Sequence, residues 1–273
     1  MSFTSPRPQY LNRRRALGLF SGAVGSVIIA ACSSNDSSTN SSLSLPTSDT
    51  SGSAATKPAS SGVVDGSCAV IPAETSGPYP GDGSNGPDVL QIDGVVRKDI
   101  RTSIGNATGT AEGIELTVQL TILDSASGCQ ALAGAAVYLW HADSQGRYSM
   151  YSSGVENENF LRGVQFADDN GKLAFTTVHP GCYDGRWPHI HFEIYRTLDD
   201  VAAGNKIITT QLAFPANTCA TIYESPGYES SKSNFSRASI ESDMVFSDGV
   251  DNQLATMTGS VNSQLTADLT VTV

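Results

Sequence analysis

The feature that most restricts the fold of this chain is a regular alternation of apolar and polar residues. The segment Ile114–Leu123 reads Ile-Glu-Leu-Thr-Val-Gln-Leu-Thr-Ile-Leu, which has a period of two. Successive side chains of a strand point to opposite faces, so this pattern predicts a strand with one face in a core. Six further segments are predicted as strands: Ala135–Trp140, Gly163–Ala167, Leu173–Val178, His189–Tyr195, Ile207–Phe214 and Leu265–Val273.

Short strands without a long amphipathic helix predict an all-β fold, specifically a two-sheet β-sandwich with long loops. We expect residues 63–273 to form this single domain. Between two of the predicted strands, Asp168-Asp169-Asn170-Gly171 is typical of a hairpin turn. Residues 225–250 are polar and irregular, and they predict a long surface excursion with a little helix.

The first 31 residues have the pattern of an export signal. Residues 1–15 carry four arginines and no acidic residue, and residues 16–31 form an uncharged, mostly apolar run that is short for a membrane span. Arg13-Arg14 resembles a twin-arginine signal, and Ile29-Ala30-Ala31-Cys32 resembles a bacterial lipobox in which Cys32 would be lipidated. We therefore expect an exported protein at the bacterial cell surface or in the periplasm, lipid-anchored to the membrane. A plain secretory signal with an incidental Cys32 is the alternative.

Residues 32–62 are predicted to be a disordered tether, because about half of them are Ser or Thr. Such a composition cannot bury enough apolar area to offset its conformational entropy. The formal net charge of the chain is −11. Since phosphate binding needs a basic face, this acidic balance argues against nucleic acid as a partner. Contact with a membrane is expected through the lipid anchor alone.

Five cysteines occur in the chain, and Cys32 is the expected lipidation site. The other four, Cys68, Cys129, Cys182 and Cys219, form an even set in an exported domain and therefore predict two disulfides. Three pairings of these four are possible. Metal ligation is the alternative, but no two of these cysteines have the spacing of a zinc knuckle.

Two of the four histidines lie in His189-Ile190-His191, on a predicted strand. Residues i and i+2 of a strand project from one face, so both imidazoles point the same way while Ile190 and Phe192 point to a core. The pair predicts a metal site, with two unrelated histidines on a polar face as the alternative. Glu193 lies on the same face as the histidines, and a site of two His and one carboxylate would favour Fe(II) or Mn, as in cupin-like barrels.

Two tyrosines stand in unusual positions, and each taken alone favours a packed aromatic residue with a hydrogen-bonded hydroxyl. Tyr148 follows a predicted strand, and Tyr183 lies in a loop six residues before the first of the paired histidines. Residues 134–149 (GAAVYLWHADSQGRYS) and residues 180–192 (PGCYDGRWPHIHF) resemble the two sequence blocks of the intradiol ring-cleavage dioxygenases. Residues 74–79 (ETSGPY) resemble the segment that lines the substrate pocket of protocatechuate 3,4-dioxygenases. The resemblance is strongest to the exported, single-domain members of the family.

This resemblance implies a non-haem Fe(III) cofactor, one per chain, bound by Tyr148, Tyr183, His189 and His191. It also implies an enzyme that cleaves a catechol-type ring between its two hydroxyls. Both atoms of O2 would enter the product, a cis,cis-muconate-type diacid. The partners would be a small aromatic diol and O2, and homo-oligomerisation stays open.

The resemblance assigns roles to residues beside these ligands as well. Tyr183 would act as a catalytic base in addition to its role as a ligand. Arg186 would stabilise charge on the substrate, with a surface salt bridge as the alternative, and Gln211 would lie near the oxygen site. Thr75 and Tyr79 would contact the substrate together with Arg186.

A disulfide between Cys182 and Cys219 would brace the loop that carries Tyr183, and Cys68–Cys129 would then be the other pair. Both pairings are hypotheses that depend on the resemblance. Two rival functions stay open beside it. One is an Fe(II) or Mn enzyme of the cupin-like kind, and the other is a non-enzymatic β-sandwich that binds aromatics or polysaccharide at a cell surface.

The two histidines outside the pair are not family ligands. His141 is expected behind the ligands or in the core. His179 directly precedes the turn at Pro180, and we expect it at the surface or in loop structure.

Overall fold

The computed structural model of this protein describes residues 68–273. The predicted export signal (1–31), the predicted lipidation site Cys32 and the predicted tether (32–62) lie outside the described residues. Within 68–273, no helix has the length and the apolar character needed to cross a membrane.

Nine strands and three short α-helices form the part of the chain that the structure describes. The strands are β1 (Glu115–Asp124), β2 (Gln130–Ala131), β3 (Ala136–Trp140), β4 (Arg162–Phe166), β5 (Lys172–Val178), β6 (His189–Tyr195), β7 (Ile208–Ala213), β8 (Thr256–Thr258) and β9 (Leu265–Thr272). The helices are α1 (Leu198–Ala203), α2 (Ala216–Ile222) and α3 (Glu229–Phe235), and a 3-10 turn covers Ser125–Ser127. Each of the seven predicted strands agrees with an observed one to within one residue at both ends. The short strands β2 and β8 were not predicted.

The strands form two sheets, which confirms the predicted β-sandwich. The first sheet has the order β2-β1-β9-β8, with β5 also paired to β1, and the second has the order β4-β3-β6-β7. Neighbouring strands are antiparallel except for β1 and β9, which run parallel with Leu116 opposite Leu265. The polar excursion after Ser225 contains one short helix, α3, as expected.

The main core lies between the two sheets and is built by the alternating residues of each strand. Leu116, Val118 and Leu120 of β1 are buried in one cluster with Ile190 and Phe192 of β6, which confirms the predicted inward direction of the two β6 residues. The intervening residues of β6 therefore point to the outer face of the second sheet. A second buried cluster, which includes the aromatic residues Tyr138, Trp140 and Tyr148, covers that face. The paired histidines thus lie beneath loops instead of facing open solvent.

The turn at residues 168–171 forms, but the predicted hairpin is wrong. Gly171 has a φ of +74°, and the carboxylate of Asp168 accepts hydrogen bonds from the backbone of the turn. The strands on either side belong to different sheets. The reason is that residues 95–100 occupy the edges that would have paired, since this segment exchanges backbone hydrogen bonds with both Val164 and Thr176. The chain therefore crosses from one sheet to the other at this turn.

One of the two expected disulfides is present. Cys68 is joined to Cys129, whereas Cys182 and Cys219 are free and buried, so the predicted second disulfide is wrong. Hydrogen bonds brace the Tyr183 loop in its place. The Tyr223 hydroxyl donates to the carbonyl of Pro180 at 3.0 Å. The Ser231 hydroxyl accepts from the Cys182 amide at 2.9 Å, and the Asn234 amide donates to the Cys182 carbonyl at 2.9 Å.

These two thiols should be unreactive in the native protein. Burial raises the pKa of the Cys182 thiol to about 12 and that of the Cys219 thiol well above its ordinary value. We expect iodoacetamide to leave both unmodified until the protein is denatured, and then to modify both without any reductant. Peptide mapping by mass spectrometry checks this, with reduction as the control that releases Cys68 and Cys129. A peptide linked through Cys182 and Cys219 would contradict the prediction.

Candidate metal centre

The strand register of the second sheet places four functional side chains in one row on its outer face. Trp140 of β3 lies opposite Arg162 of β4 on one side and His191 of β6 on the other. His191 in turn lies opposite Gln211 of β7. His189 is two residues before His191 on the same strand and projects from the same face. The sheet therefore supplies a rigid base for both imidazoles.

Two loops bring phenol groups to these imidazoles. Tyr148 lies in the loop between β3 and β4, and Tyr183 lies in the loop between β5 and β6. Nε2 of His189 is 3.1 Å from Nε2 of His191, 3.2 Å from Oη of Tyr183 and 3.4 Å from Oη of Tyr148. The structure thus brings together all four side chains that the sequence predicted as ligands.

The imidazoles are held neutral and in a defined orientation. Nδ1 of His189 lies 2.5 Å from the Trp187 carbonyl, which can only accept, so the proton is on Nδ1 and Nε2 carries the lone pair. The Trp140 ring stacks on His191 at 5.0 Å between ring centroids and 5° between planes. Burial, together with the charge of Arg186, lowers the pKa of His189 to about 3, and burial lowers that of His191 well below its ordinary value. Neutral imidazole is the form that binds metals.

The phenols are in the opposite electrostatic situation. Burial raises the pKa of Tyr148 well above its ordinary value of about 10 and also raises that of Tyr183, although Arg186 opposes the second shift. Both groups therefore stay protonated unless a cation lies between them. A bound cation reverses this preference, because it stabilises the ionised oxygen directly.

Arg186 is buried beside these donors and is fully engaged. Its Nη1 lies 3.3 Å from Oη of Tyr183, and its Nη2 donates to Oε1 of Gln211 at 2.7 Å. Gln211 in turn donates to the backbone carbonyl of Thr75 at 2.8 Å. The predicted site residues Arg186, Gln211 and Thr75 are therefore joined in one hydrogen-bonded chain, and the alternative of a surface salt bridge for Arg186 is wrong.

Asp243 is a site residue that the sequence analysis missed. Its side chain is completely buried, and Oδ2 accepts from Nε of Arg186 at 2.9 Å and from the Trp187 amide at 2.5 Å. Oδ1 accepts from the backbone amides of Val245 and Phe246 at 2.8 and 3.1 Å. Because Asp243 lies in the irregular excursion after α3, no periodic pattern marked it. An acidic residue followed by three apolar residues, Met244, Val245 and Phe246, was the local signal.

Comparison with known proteins places this chain in a family. The solved structure of an intradiol ring-cleavage dioxygenase from Tetranychus urticae is similar with a TM-score of 0.60 and 27% identity, covering 75% of this chain and 94% of that one. The family model Dioxygenase_C, described as dioxygenase, matches residues 86–224, which is half of the chain. The chain belongs to the intradiol ring-cleavage dioxygenases. The dioxygenase domain of a carbohydrate-binding fusion protein from Streptomyces sp. SirexAA-E has a TM-score of 0.47 and 23% identity, with 75% of this chain and 98% of that one covered.

The segment 74–79 of this intradiol dioxygenase passes over the donor atoms. The Tyr79 ring packs 5.0 Å from that of Tyr148. Gly77 has a φ of +66°, and a Cβ added there would lie 3.3 Å from Cε1 of His191, so a larger residue would be strained and would crowd the imidazole. The Thr75 hydroxyl accepts from the Gly77 amide at 3.1 Å, so it stabilises this turn.

Glu193, the carboxylate of the cupin-like alternative, is not available as a ligand. It is buried, and Oε1 accepts from Lys206 at 2.5 Å and from Thr209 at 2.8 Å. Oε2 accepts from the Tyr195 hydroxyl at 2.6 Å. In residues 68–273 no cluster of three or more His, Cys, Asp or Glu side chains could hold a metal ion. The tyrosines are therefore what distinguishes this centre.

The other two histidines lie outside the centre. His141 is buried with Nε2 2.7 Å from the Thr177 hydroxyl, which agrees with the expected core position. His179 lies in the loop directly after β5, as one of the two expected alternatives had it, but it is completely buried, so the surface alternative is wrong. The chain after β7 covers it, since its ring packs 4.6 Å from Phe214 and the Tyr228 hydroxyl donates to its carbonyl at 2.8 Å.

Proposed function

We propose that this protein is a non-haem Fe(III) dioxygenase with one iron per chain. It uses O2 to cleave the ring of a catechol-type diol between the two hydroxyls, and the product is a cis,cis-muconate-type diacid. The observation that carries this proposal is the convergence of two phenol oxygens and two imidazole nitrogens, since Nε2 of His189 lies within 3.4 Å of each of the other three donors.

The donor set fits a ferric ion. Bonds of about 2.0–2.2 Å from one ion to its ligands place neighbouring donor atoms about 3–3.5 Å apart, and the separations found here are 3.1, 3.2 and 3.4 Å. Tyrosinate is a hard anionic oxygen donor, and two of them match a trivalent cation better than a divalent one. Burial keeps the free phenols protonated, because a buried tyrosinate would lack a counter-charge. A bound cation supplies that charge and so stabilises the ionised forms.

Ferric iron, when bound by these four residues, would hold both catechol oxygens and make the electron-rich ring reactive towards O2. As the tyrosinate that it would become on binding iron, Tyr183 is suited to accept a catechol proton at Oη and return to the phenol, because its side chain is less buried than that of Tyr148. Nη1 of Arg186, 3.3 Å from that oxygen, stabilises negative charge on the phenol and on a diol beside it. Gln211 and Asp243 keep the guanidinium aimed at this point.

Aromatic side chains define the walls of the substrate space. Tyr79 lies above Tyr148, and Tyr79 is also 5.2 Å from Tyr151 by ring centroids. Trp140 closes the space beneath His191. Flat aromatic rings beside the donor atoms favour an aromatic substrate, because ring faces pack well against one another.

Colour and oxygen consumption test the proposal together. Iron-loaded protein should be red-brown, because ferric tyrosinate absorbs visible light by charge transfer, and zinc-loaded protein should be colourless. With a panel of catechols, an oxygen electrode should record uptake of one O2 for each diacid that ultraviolet absorbance detects. A colourless iron-loaded protein would contradict the ferric centre. Diol binding without oxygen uptake would instead support the surface binding module.

A further inference from the structure

We propose that Arg162 is a positioning residue that holds the substrate-facing loops of Tyr79 and Tyr148 in register with the metal ligands. The role in turnover rests on the proposed function. The effect of Arg162 on the positions of the two loops is independent of the proposed function, and it is measurable without iron.

Arg162 is a buried cation that bonds two separate segments at once. It lies on β4 with 1% of its surface exposed. Nη1 donates to the backbone carbonyls of Tyr79 at 3.0 Å and Pro80 at 2.8 Å. Nη2 donates to the carbonyl of Ser149 at 2.9 Å, and Nε donates to the Ser149 hydroxyl at 3.1 Å. Tyr79 is thus bonded directly, and Tyr148 is held through the residue that follows it.

The choice of partners is unusual for a buried guanidinium. Burial of a charge is costly, and a carboxylate normally compensates it. None of the ion pairs formed by residues 68–273 includes Arg162. Its charge is instead solvated by carbonyl and hydroxyl oxygens of the two loops. Charge-assisted hydrogen bonds are stronger than neutral ones, so the cation draws both loops onto the sheet.

The backbone of the first loop is shaped around this guanidinium. Gly81 has a φ of +65°, and a Cβ added there would lie 2.7 Å from Nη1 of Arg162. The Tyr138 hydroxyl also donates to the Pro80 carbonyl at 2.6 Å. The Tyr151 hydroxyl accepts from the Gly81 amide at 2.8 Å. The segment therefore approaches Arg162 as closely as a glycine permits, which a merely space-filling side chain would not require.

Arg162 also stands in the same row as the metal ligands. Trp140 lies between Arg162 and His191 across the sheet and stacks on the imidazole. Arg162 therefore fixes the positions of both loops relative to the sheet that carries the histidines. Lysine cannot replace this function, because one ammonium reaches one loop at a time whereas the planar fork of arginine reaches both.

Arg97 offers a matched control. Its guanidinium also donates to backbone carbonyls, those of Thr102, of Asn159 at 3.4 Å and of Arg162 at 2.7 Å, and it takes part in none of the ion pairs of residues 68–273. None of these three carbonyls lies in residues 77–81 or 148–152, the stretches that Arg162 bonds, although Asn159 is at the other end of the loop between β3 and β4. R97K therefore removes the same kind of interaction without removing a bond to either stretch, and since one acceptor is the Arg162 carbonyl it also controls for disturbance of the β4 backbone.

Hydrogen exchange on the metal-free full chain is the first measurement. R162K should speed amide exchange in peptides covering residues 77–81 and 148–152, and R97K should not. If R162K does not fold, G81A compared with G86A replaces the pair. Both glycines have positive φ, but nothing lies within 4 Å of a Cβ at Gly86. Unchanged exchange in R162K or G81A would overturn the proposal.

Kinetics on the iron-loaded full chain is the second measurement. R162K should raise KM for the diol, shift the visible band and lower kcat/KM by about 100-fold, the loss that a misplacement of about 1 Å produces. R97K should lower thermal stability alone. A wild-type band and KM in R162K, with only the melting temperature lowered, would reduce Arg162 to a structural residue. Absence of colour and turnover in the iron-loaded wild type would instead overturn the proposed function. The hydrogen-exchange result would still decide whether Arg162 positions the two loops.

Discussion

Replacing Tyr148 with Phe should remove both the visible colour and the turnover of the iron-loaded protein. The substitution deletes one phenol oxygen, 3.4 Å from Nε2 of His189, and keeps the ring that packs against Tyr79. Loss of a ligand should cost more than the 10- to 100-fold that loss of an outer partner typically costs, so we expect a drop in kcat above about 100-fold. An absorption spectrum and oxygen uptake at saturating diol check this.

The fold should survive this change. A single neutral hydrogen bond contributes about 1 kcal/mol to stability, and the Phe ring fills the same buried space. Tyr195→Phe is the matched control, because Tyr195 lies on β6 and its hydroxyl donates to Glu193 and not to a proposed ligand. That variant should keep colour and turnover. If Tyr148→Phe keeps both as well, Tyr148 is not a ligand and the ferric site is wrong.

Replacing Asp243 with Asn should destabilise the protein and disable Arg186 together. The Arg186 side chain is 9% exposed and that of Asp243 is 0% exposed, so the variant leaves a buried guanidinium without its counter-charge. Breaking a buried pair by removing one partner costs about 3–5 kcal/mol. We expect a loss of that size in the free energy of unfolding, measured by urea titration. We also expect a fall in kcat/KM, because Arg186 loses the contact that aims it at Tyr183.

The destabilisation should depend on pH in a defined direction. Burial raises the pKa of Asp243, but hydrogen bonds from the Trp187 and Val245 amides and the charge of Arg186 outweigh it, so the net pKa is lowered. A carboxyl group with a lowered folded-state pKa stabilises the protein above its unfolded value, near 4, and loses that contribution as pH falls through the folded value. The difference between wild type and D243N should therefore be full at pH 7 and shrink below about pH 4.

Asp184→Asn supplies the control for this prediction. Asp184 pairs with Arg237 at 3.3 Å, but its side chain is 86% exposed. Exposed pairs contribute about 0–1 kcal/mol, so this variant should be close to wild type in stability and activity. Equal losses in the free energy of unfolding for D184N and D243N would mean that the buried Arg186–Asp243 pair stabilises the protein no more than an exposed pair does.

The sequence by itself determined seven of the nine strands and the shared face of two candidate ligands. Alternation in β1 and β6 set which residues face the core, because a strand with one buried face must repeat every two residues. The same rule placed His189 and His191 on one face and Ile190 on the other. The two tyrosines were found by resemblance, since nothing in the periodicity of a loop indicates the direction of its side chains.

Only the tertiary structure decided how distant segments meet. Asp243 reaches Arg186 across 57 residues of sequence, and Arg162 reaches Tyr79 across 83. Residues 95–100 separate β4 from β5, where the turn between them favoured a hairpin. Local pattern records the preference of each segment for strand or turn. It does not record which buried polar group will compensate another, because that depends on desolvation and on the competition of all segments for the same edges and cavities.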